Sequence, residues 1–264
     1  MSWSDYFTVS PEPGAPPPPL RTRVFNFSLV LSLIAAILYF SFHQVDYRWN
    51  WGAIYKYRLK LWQGWWTTIL ISLAALVLST TIGLFLALAR RSRWLALRYF
   101  SRLYLELVRG TPLLVQILIF FYVVANAFGL SNRYVVGVLI LSCFSGAYIS
   151  EVIRAGIESV GKSQLESAQA IGLTRGQTYR YVVFPQALRQ SLPPLAGQFV
   201  SLVKDSSLLS IIAISEFTLN AQEVNSYTFS TLETYLPLAA GYLLLTLPIS
   251  LWTRHLEARN RFET

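Results

Sequence analysis

The chain has 264 residues, of which 54% are hydrophobic and only 13% are charged, a composition that excludes an ordinary soluble domain and indicates a membrane protein. Its formal net charge is +9, but the basic residues lie mainly at the ends of apolar segments, so membrane orientation explains this charge better than nucleic-acid binding does. The single cysteine, Cys143, lies within an apolar stretch and excludes a disulfide framework and a cysteine-based metal site.

Six apolar stretches approach the length that a membrane-spanning helix needs, about 20 residues. In chain order they are residues 24–42, 65–89, 112–130, 134–150, 191–214 and 235–252. We therefore predict an all-α membrane protein with six transmembrane helices and both termini on one side. Lys and Arg are concentrated at the termini and in the connections 90–111 and 151–185, and the positive-inside rule assigns these segments to the cytoplasm.

The remaining segments complete the predicted organisation. Residues 1–23 form a Pro-rich cytoplasmic arm, whose four consecutive prolines favour a stiff, extended chain. The helix at 24–42 is followed by an external loop at 43–64, rich in the tryptophans typical of a membrane interface, where a short helix lying along the surface is an alternative. Residues 65–255 form the transmembrane core, and 256–264 form a cytoplasmic tail. Within the core, 94–109 place apolar and basic residues at helical spacing, which predicts a helix on the cytoplasmic surface.

A polar insert at residues 151–185 separates the fourth and fifth spans. Ser163 and Glu166 have the spacing of a capping box, in which a serine caps a helix and a glutamate three residues on reaches back to it. The helix that they predict can run to Ile171. Gly172 then supplies the left-handed residue that commonly ends a helix.

A second helix is predicted directly afterwards, since Thr174 and Gln177 form another capping-box pattern. We expect Pro185 to end this helix before the next span begins. The insert therefore predicts a helix–glycine–helix unit that projects into water. A membrane protein that exposes such a unit is expected to offer it to a partner.

A spaced pattern runs through the same insert. It consists of Glu166, Ser167, Ala168, Gly172, Val182, Phe184 and Pro185. This pattern resembles the cytoplasmic EAA loop of ABC importer permeases, in which Glu-Ala-Ala is followed at fixed spacing by Gly, Ile and Leu-Pro. The spacing is kept in full, and Ser167, Val182 and Phe184 replace the family's Ala, Ile and Leu.

Two further stretches, 108–116 and 201–208, narrow the resemblance to the polar amino acid uptake permeases of the histidine, glutamine, glutamate and arginine type. The resemblance covers roughly residues 60–262. It implies the type I importer fold, with a five-helix core to which the N-terminal helix is an addition, in a bacterial inner membrane.

The resemblance also implies partners. The insert would be the coupling helix, seated in a cleft of a separate ABC ATPase. Its implied contact residues are Ser163, Glu166, Ser167, Ala168, Gly172 and Arg175. An ATPase dimer would bind ATP and Mg, so this chain would hold no cofactor or metal. A second permease subunit, identical or homologous, and an external amino acid binding protein would complete the complex in the lipid membrane.

Adjacent ionisable residues interrupt the fifth span, where Lys204 and Asp205 precede Ser206 and Ser207. A charge near mid-membrane costs roughly 2.5–3.5 kcal/mol, so each must be paired, hydrated or in contact with a cavity. One interpretation is a substrate pocket, in which Lys204 binds the carboxylate and Asp205 the ammonium group of an amino acid, with the two serines as secondary ligands. The other is a buried ion pair that fixes helix packing.

Gln116 and Asn126 on the third span are further candidates for the substrate pocket. They are separated by ten positions, which brings them to within about 80° of one helix face. The favoured alternative is that both side chains form hydrogen bonds between helices as packing contacts.

Residues 156–163, GIESVGKS, match the P-loop pattern letter for letter. A working P-loop needs a buried strand before it and a surrounding α/β domain. An apolar span precedes this stretch instead, and the polar insert is too short to form such a domain. We therefore exclude nucleotide binding by this chain.

The predicted function is that of the membrane subunit of an ATP-driven importer of polar amino acids, and not an enzyme. A channel or facilitator not coupled to ATP would use the same spans but leaves the polar insert without a purpose. An intramembrane enzyme would need paired catalytic groups facing one cavity, and only Lys204 and Asp205 offer such a pair.

Overall fold

The computed structural model describes residues 18–44 and 47–260, and within these ranges all regular structure is helical. Most of the predicted N-terminal arm and the last four residues of the tail lie outside the described residues. The chain divides into two compact units, residues 1–49 and residues 50–264.

The first unit contains helix α1, Leu20–His43. Its N-cap residue is Pro19, whose fixed φ suits the entry to a helix but whose side chain offers no capping oxygen. The apolar side chains of α1 are largely exposed within the unit, which a helix surrounded by lipid requires. The predicted first span, 24–42, is confirmed as a helix.

The second unit begins with α2, Trp51–Arg90, a helix of 40 residues. At 1.5 Å per residue it is about 60 Å long, roughly twice the thickness of the hydrocarbon core of a bilayer. The helix begins at Trp51 and not at the predicted Trp65, so most of the predicted external loop at 43–64 is helical. Hydropathy missed this part because its residues are polar and aromatic, and it is stabilised by packing against a later helix.

Helix α3, Leu95–Gly110, follows a short turn and confirms the helix expected over 94–109. Helix α3 ends before Pro112. Helix α4, Leu113–Ile119, follows and is continued by a π-helical turn, Phe120–Ala125. The axes of α3 and of this second helical segment are bent by 110°. The bend follows from sequence, because a proline disfavours helix in the residue before it.

The core of the unit is formed where α2 packs along α5, Arg133–Glu158. Gly83 of α2 and Gly146 of α5 let the two backbones approach. A β carbon on Gly83 would lie 2.6 Å from Cγ2 of Ile149, and one on Gly146 would lie 2.7 Å from Cγ2 of Ile82. Small residues at such a crossing are the usual means by which membrane helices pack closely.

The second half of the unit contains short α6 and α7, Lys162–Ala170 and Arg175–Thr178, then α8, Phe184–Asp205, which continues as a 3-10 helix, Ser206–Ile212. Helix α9, Phe217–Thr228, was not predicted from sequence, because it is too short and too polar to read as a span. It packs against the first turns of α2. Helix α10, Thr231–Asn260, contains the predicted sixth span.

Five helices in the described residues are long and apolar enough to cross a membrane, or six when the bent pair α3–α4 is taken as one span. The prediction of an all-α membrane protein is therefore confirmed, with five to six candidate spans.

Candidate functional site

The polar insert folds as two short helices beyond the end of α5. Helix α6 begins at Lys162 after Gly161, and its N-cap carries no side-chain hydrogen bond. The capping box predicted for Ser163 and Glu166 is therefore wrong. Gly161 adopts the extended conformation that starts the helix, with φ −59° and ψ 145°, so Ser163 lies inside the first turn and Glu166 has no cap to contact.

The turn between the two helices has the predicted form. Gly172 has φ +80°, the left-handed region that glycine adopts without steric cost. Its N–H donates to the carbonyl of Gln169 at 2.9 Å, and the N–H of Leu173 donates to Ala168 at 3.0 Å, which closes the end of α6. The second capping box is also confirmed: Thr174 and Gln177 each bond the other's backbone N–H.

Helix α7 does not end at Pro185, which corrects the prediction. A π-helical turn, Tyr179–Val183, joins it directly to α8, and Pro185 lies in the first turn of α8. Pro185 has no N–H to donate, and the π-helical turn directly before it, with its i→i+5 hydrogen bonds, already interrupts the regular pattern of backbone hydrogen bonds. The chain is therefore helical from Arg175 to Asp205, so that the polar insert is joined to the fifth span without a flexible linker.

The α6–α7 unit presents a free surface on one side. Ala168 is buried and anchors α6, whereas Glu166, Ser167 and Arg175 are exposed. Ile171, at the tip before the turn, is 76% exposed. Sequence reasoning did not single out Ile171 as a contact residue. The sequence feature that could have identified it is an apolar residue at a turn within a mainly polar segment.

The P-loop pattern has no P-loop geometry. Gly156 lies inside α5, where its backbone packs closely against α8 near Ser191, and Lys162 begins α6. The described parts of the chain contain no strand before the pattern. Among these same residues, no cluster of His, Cys, Asp and Glu that could hold a metal is found.

An arginine cluster that sequence reasoning missed lies at the same end of the molecule as α6–α7. Glu151 of α5 pairs with Arg90 of α2, with Arg109 of α3 at 3.4 Å, and with Arg154 one turn along its own helix at 2.9 Å. Arg154 also pairs with Glu158. The Glu151 side chain is only 19% exposed, so one carboxylate connects three helices. The sequence feature that could have indicated this cluster is the presence of charged residues at the ends of three separate predicted spans.

The four polar residues of the fifth span lie together where α8 gives way to the 3-10 helix. Lys204 is exposed and Asp205 is half-buried, and no ion pair joins their side chains in this part of the described structure. Ser206 is fully buried and donates to the carbonyl of Val203 at 2.8 Å. Ser207 is half-buried. Their role in substrate binding stays a prediction.

Gln116 and Asn126 are not brought to the same place. Gln116 donates to the carbonyls of Val108 and Thr111, at 2.7 and 3.0 Å, and so bridges the bend between α3 and α4. Asn126 is exposed and donates to Tyr122 within its own helix. These contacts give both side chains a structural role in this conformation, and their proposed contact with substrate is untested.

A buried carboxyl lies at the opposite end of the unit. Glu216 is fully buried and caps α9 by accepting from the N–H groups of Thr218 and Leu219, both at 2.8 Å. Tyr242 of α10 donates to it at 3.0 Å and Thr68 of α2 at 3.4 Å. Burial raises the pKa of this carboxyl, and the hydrogen bonds act in the opposite direction. Glu216 therefore holds α2, α9 and α10 together.

With this geometry established, comparison with known proteins identifies the family. Residues 79–262 match the family described as binding-protein-dependent transport system inner membrane component. The chain belongs to this family. The matched range includes α6–α7, the arginine cluster and the residues from Lys204 to Ser207. The protein is accordingly a membrane-spanning permease subunit of a transporter and not an enzyme.

Similar permeases support this assignment. The chain is 35% identical over 213 residues to the glutamine transport system permease protein GlnP of Escherichia coli (strain K12), covering 80% of this chain and 97% of that one. It is 38% identical over 198 residues to the L-cystine transport system permease protein TcyB of Bacillus subtilis (strain 168), covering 74% and 84% of the two chains.

Solved structures agree with the fold. A chain from the crystal structure of an amino acid ABC transporter with histidines is 33% identical to this permease, with a TM-score of 0.75, and the match covers 81% of this chain and all of that one. A chain of the inward-facing MetNI methionine ABC transporter is 15% identical with a TM-score of 0.59, which shows likeness of fold. The expected type I importer fold is therefore confirmed.

Proposed function

We propose that this permease imports polar amino acids, as one of two permease subunits that work with a pair of ATPases and an external binding protein. The ATPases bind ATP and Mg, and this chain carries no cofactor. The relatives described above are named for glutamine and L-cystine transport, which supports an amino acid as cargo. The basic ends of the helices face the cytoplasm of a bacterial cell under the positive-inside rule.

The main support for an ATPase partner is the exposed surface of the α6–α7 unit. Its outward side combines Glu166, Arg175 and the apolar tip residue Ile171, a mixture of charged and apolar groups suited to a protein partner. The left-handed Gly172 fixes the angle between the two helices. We assign this surface to the ATPase.

In this proposal, the continuous helical segment from α7 to α8 transmits movement of the ATPases to the transport pathway. The chain is helical without a break from Arg175 to Asp205, about 45 Å at 1.5 Å per residue. Displacement of α7 therefore moves the end of α8, where Lys204 and Asp205 lie. In the proposed mechanism, ATP binding favours one orientation of these helices and hydrolysis the other, so the two states differ in access to a site in the membrane.

Co-purification tests the partner. We expect Ile171→Asp to reduce capture of the ATPase subunits by the tagged permease at least tenfold, because it places a charge in an apolar contact. Phe128→Asp, an equally exposed apolar residue at the opposite end, is the matched control and should leave capture unchanged. Equal capture by both variants would contradict the assignment of α6–α7.

Transport in proteoliposomes tests the function. The complex should accumulate a radiolabelled polar amino acid only with ATP and binding protein present. Substrate flux that needs no nucleotide would support the alternative, a channel or facilitator.

A further inference from the structure

A basic cleft opens between α2, α3 and α5 at the α6–α7 end of the molecule. It has a volume of about 670 Å³. Its charged lining consists of Arg90, Arg91, Arg98, Arg102, Arg154 and Glu158. A second cleft of about 510 Å³, which also contains Arg90 and Arg102, adjoins it on the side of Arg109. Five arginines and one carboxylate therefore face the first cleft.

The carboxylates nearby do not neutralise this charge. Glu151 and Glu158 are taken up by Arg90, Arg109 and Arg154. Glu106, which lines the second cleft beside Arg102, forms no ion pair among the described residues. For Arg91, Arg98 and Arg102, by contrast, no ion pair is found within residues 18–44 and 47–260. The guanidinium of Arg91 lies 5.7 Å from the ring centre of Tyr179. Three like charges around one concave surface repel one another, so the cleft favours an anion with several acceptor oxygens.

Helix α3 places this charge next to an apolar surface. At 100° per residue, Arg98, Arg102 and Arg109 lie within about 40° of one another on the helix. The side that faces the protein is fixed by Ser101, which donates to Leu86 of α2 at 3.0 Å, and by buried Leu105.

A third side of α3 is exposed and apolar. It consists of Leu95, Tyr99, Phe100, Leu103 and Leu107, each at least 54% exposed. Trp94, directly before the helix, is 74% exposed. A helix with one apolar side and an adjacent basic side is typical of the boundary between lipid tails and headgroups.

We propose that this cleft binds the phosphate of an anionic phospholipid, whose acyl chains lie against the exposed apolar side of α3. Arg91, Arg98 and Arg102 bind the phosphate oxygens. The apolar side of α3 explains why the ligand is a lipid and not a soluble anion. The bound lipid links α2 to α3 next to the arginine cluster, directly beside the segment that contacts the ATPase.

Native mass spectrometry of the purified full-length permease complex tests the proposal. The probes are phosphatidylglycerol and phosphatidylcholine, which share acyl chains and differ in headgroup charge. We expect phosphatidylglycerol to be retained preferentially. An arginine near an anionic headgroup contributes about a fivefold factor in affinity, so Arg98→Gln combined with Arg102→Gln should weaken phosphatidylglycerol binding by roughly 25-fold. Phosphatidylcholine binding should not change.

Two controls separate the site from net charge and from folding. Lys56→Gln combined with Arg58→Gln removes the same charge from exposed residues at the other end of α2 and should leave lipid retention as in the wild type. Size-exclusion elution and helical content must match the wild type for both pairs. If both pairs lose lipid equally, the effect is one of overall charge, and the proposal fails.

A third arm distinguishes lipid from soluble anion. Leu103→Ser combined with Leu107→Ser keeps every arginine and should weaken retention of phosphatidylglycerol several-fold. Millimolar inorganic phosphate or sn-glycerol 3-phosphate should not displace the lipid. Displacement by either ion would show that the cleft binds a soluble anion. Loss of ATPase capture with unchanged lipid retention in the arginine pair would show that these arginines contact the ATPase. Either result overturns the lipid site.

Discussion

The Oε2 atom of Glu151 on α5 lies 3.4 Å from Nη1 of Arg109 at the end of α3. This pair connects the end of α3, just before the bend to α4, to the long helix α5, and Arg90 connects α2 to the same carboxylate. Because α6 follows α5 after only a short turn, Glu151 fixes the helix ends from which the α6–α7 unit projects.

Replacing Glu151 with glutamine should destabilise the protein. The change removes the negative charge and leaves three arginines close together around a neutral side chain. Because the carboxylate is partly exposed, we expect a loss of about 1–2 kcal/mol, less than for a fully buried pair. Thermal unfolding in detergent measures it. Glu158→Gln is the control, since Glu158 is 54% exposed and, among the described residues, forms its ion pair with Arg154 alone, and its effect should stay below about 0.5 kcal/mol. Equal effects would contradict the special position of Glu151.

Because α2 and α5 are in close contact at Gly83, adding one methyl group there should strongly lower the stability of the protein. A β carbon at Gly83 would lie 3.0 Å from the carbonyl oxygen of Gly146 as well as close to Ile149, and a backbone atom cannot rotate away. Gly83→Ala should therefore cost about 1–3 kcal/mol. Gly197→Ala on α8 is the matched control, because no atom outside its own helical turn lies within 4 Å; it should be neutral or stabilising. Thermal unfolding of both variants tests this prediction, and equal melting temperatures for the two would contradict it.

The sequence predicted the spans well and the joints between them poorly. Long apolar runs identify α1, α5 and α10 directly, since each is apolar over the length that crosses a membrane. The first turns of α2 and all of α9 mix polar, aromatic and apolar residues without a long apolar run, and they are stabilised by packing against each other in one buried cluster. Hydropathy carries no information about such a pair.

In the candidate site, too, local features could be predicted from the sequence and contacts between distant residues could not. Gly172 and the Thr174 cap were predictable because their effects are local to a few residues. The Ser163 cap failed because a glycine two residues earlier offers another start for the helix. The cluster around Glu151 joins residues from three spans, and no local pattern reports contacts of that kind.

Glu216 predicts a dependence of stability on pH. Its pKa is raised in the folded protein, chiefly by burial, whereas in the unfolded chain it is about 4.3. Between these two values the folded state keeps a proton that the unfolded state has released, so stability falls as pH rises through this window. We expect the melting temperature to decrease as the pH rises above about 4.3 and Glu216→Gln to remove this part of the slope. Identical pH profiles for wild type and variant would contradict it.

The proposed substrate site predicts that Asp205→Asn lowers transport without loss of assembly. Asparagine keeps the size of the side chain and removes the charge that would bind an ammonium group, so we expect at least a tenfold loss of ATP-dependent uptake, mainly through a higher KM. ATPase capture should stay as in the wild type. Ser207→Ala, two residues along the chain, removes only a neutral secondary ligand and should change uptake by less than about threefold. Wild-type uptake kinetics in Asp205→Asn would show that this carboxylate is not a substrate ligand.

Gly172→Asp should uncouple the transporter while the permease still inserts and folds. With φ at +80°, a side chain at this position costs about 1–2 kcal/mol in the left-handed conformation, and relief of that strain changes the angle between α6 and α7. Gly176→Ala is the matched control, because it lies within α7, has an ordinary φ and has open space around it. Parallel assays of membrane insertion, ATPase activity and uptake should show Gly176→Ala as wild type. Gly172→Asp should retain insertion and lose at least tenfold in ATP-dependent uptake, so wild-type uptake in this variant would show that the turn does not transmit the motion.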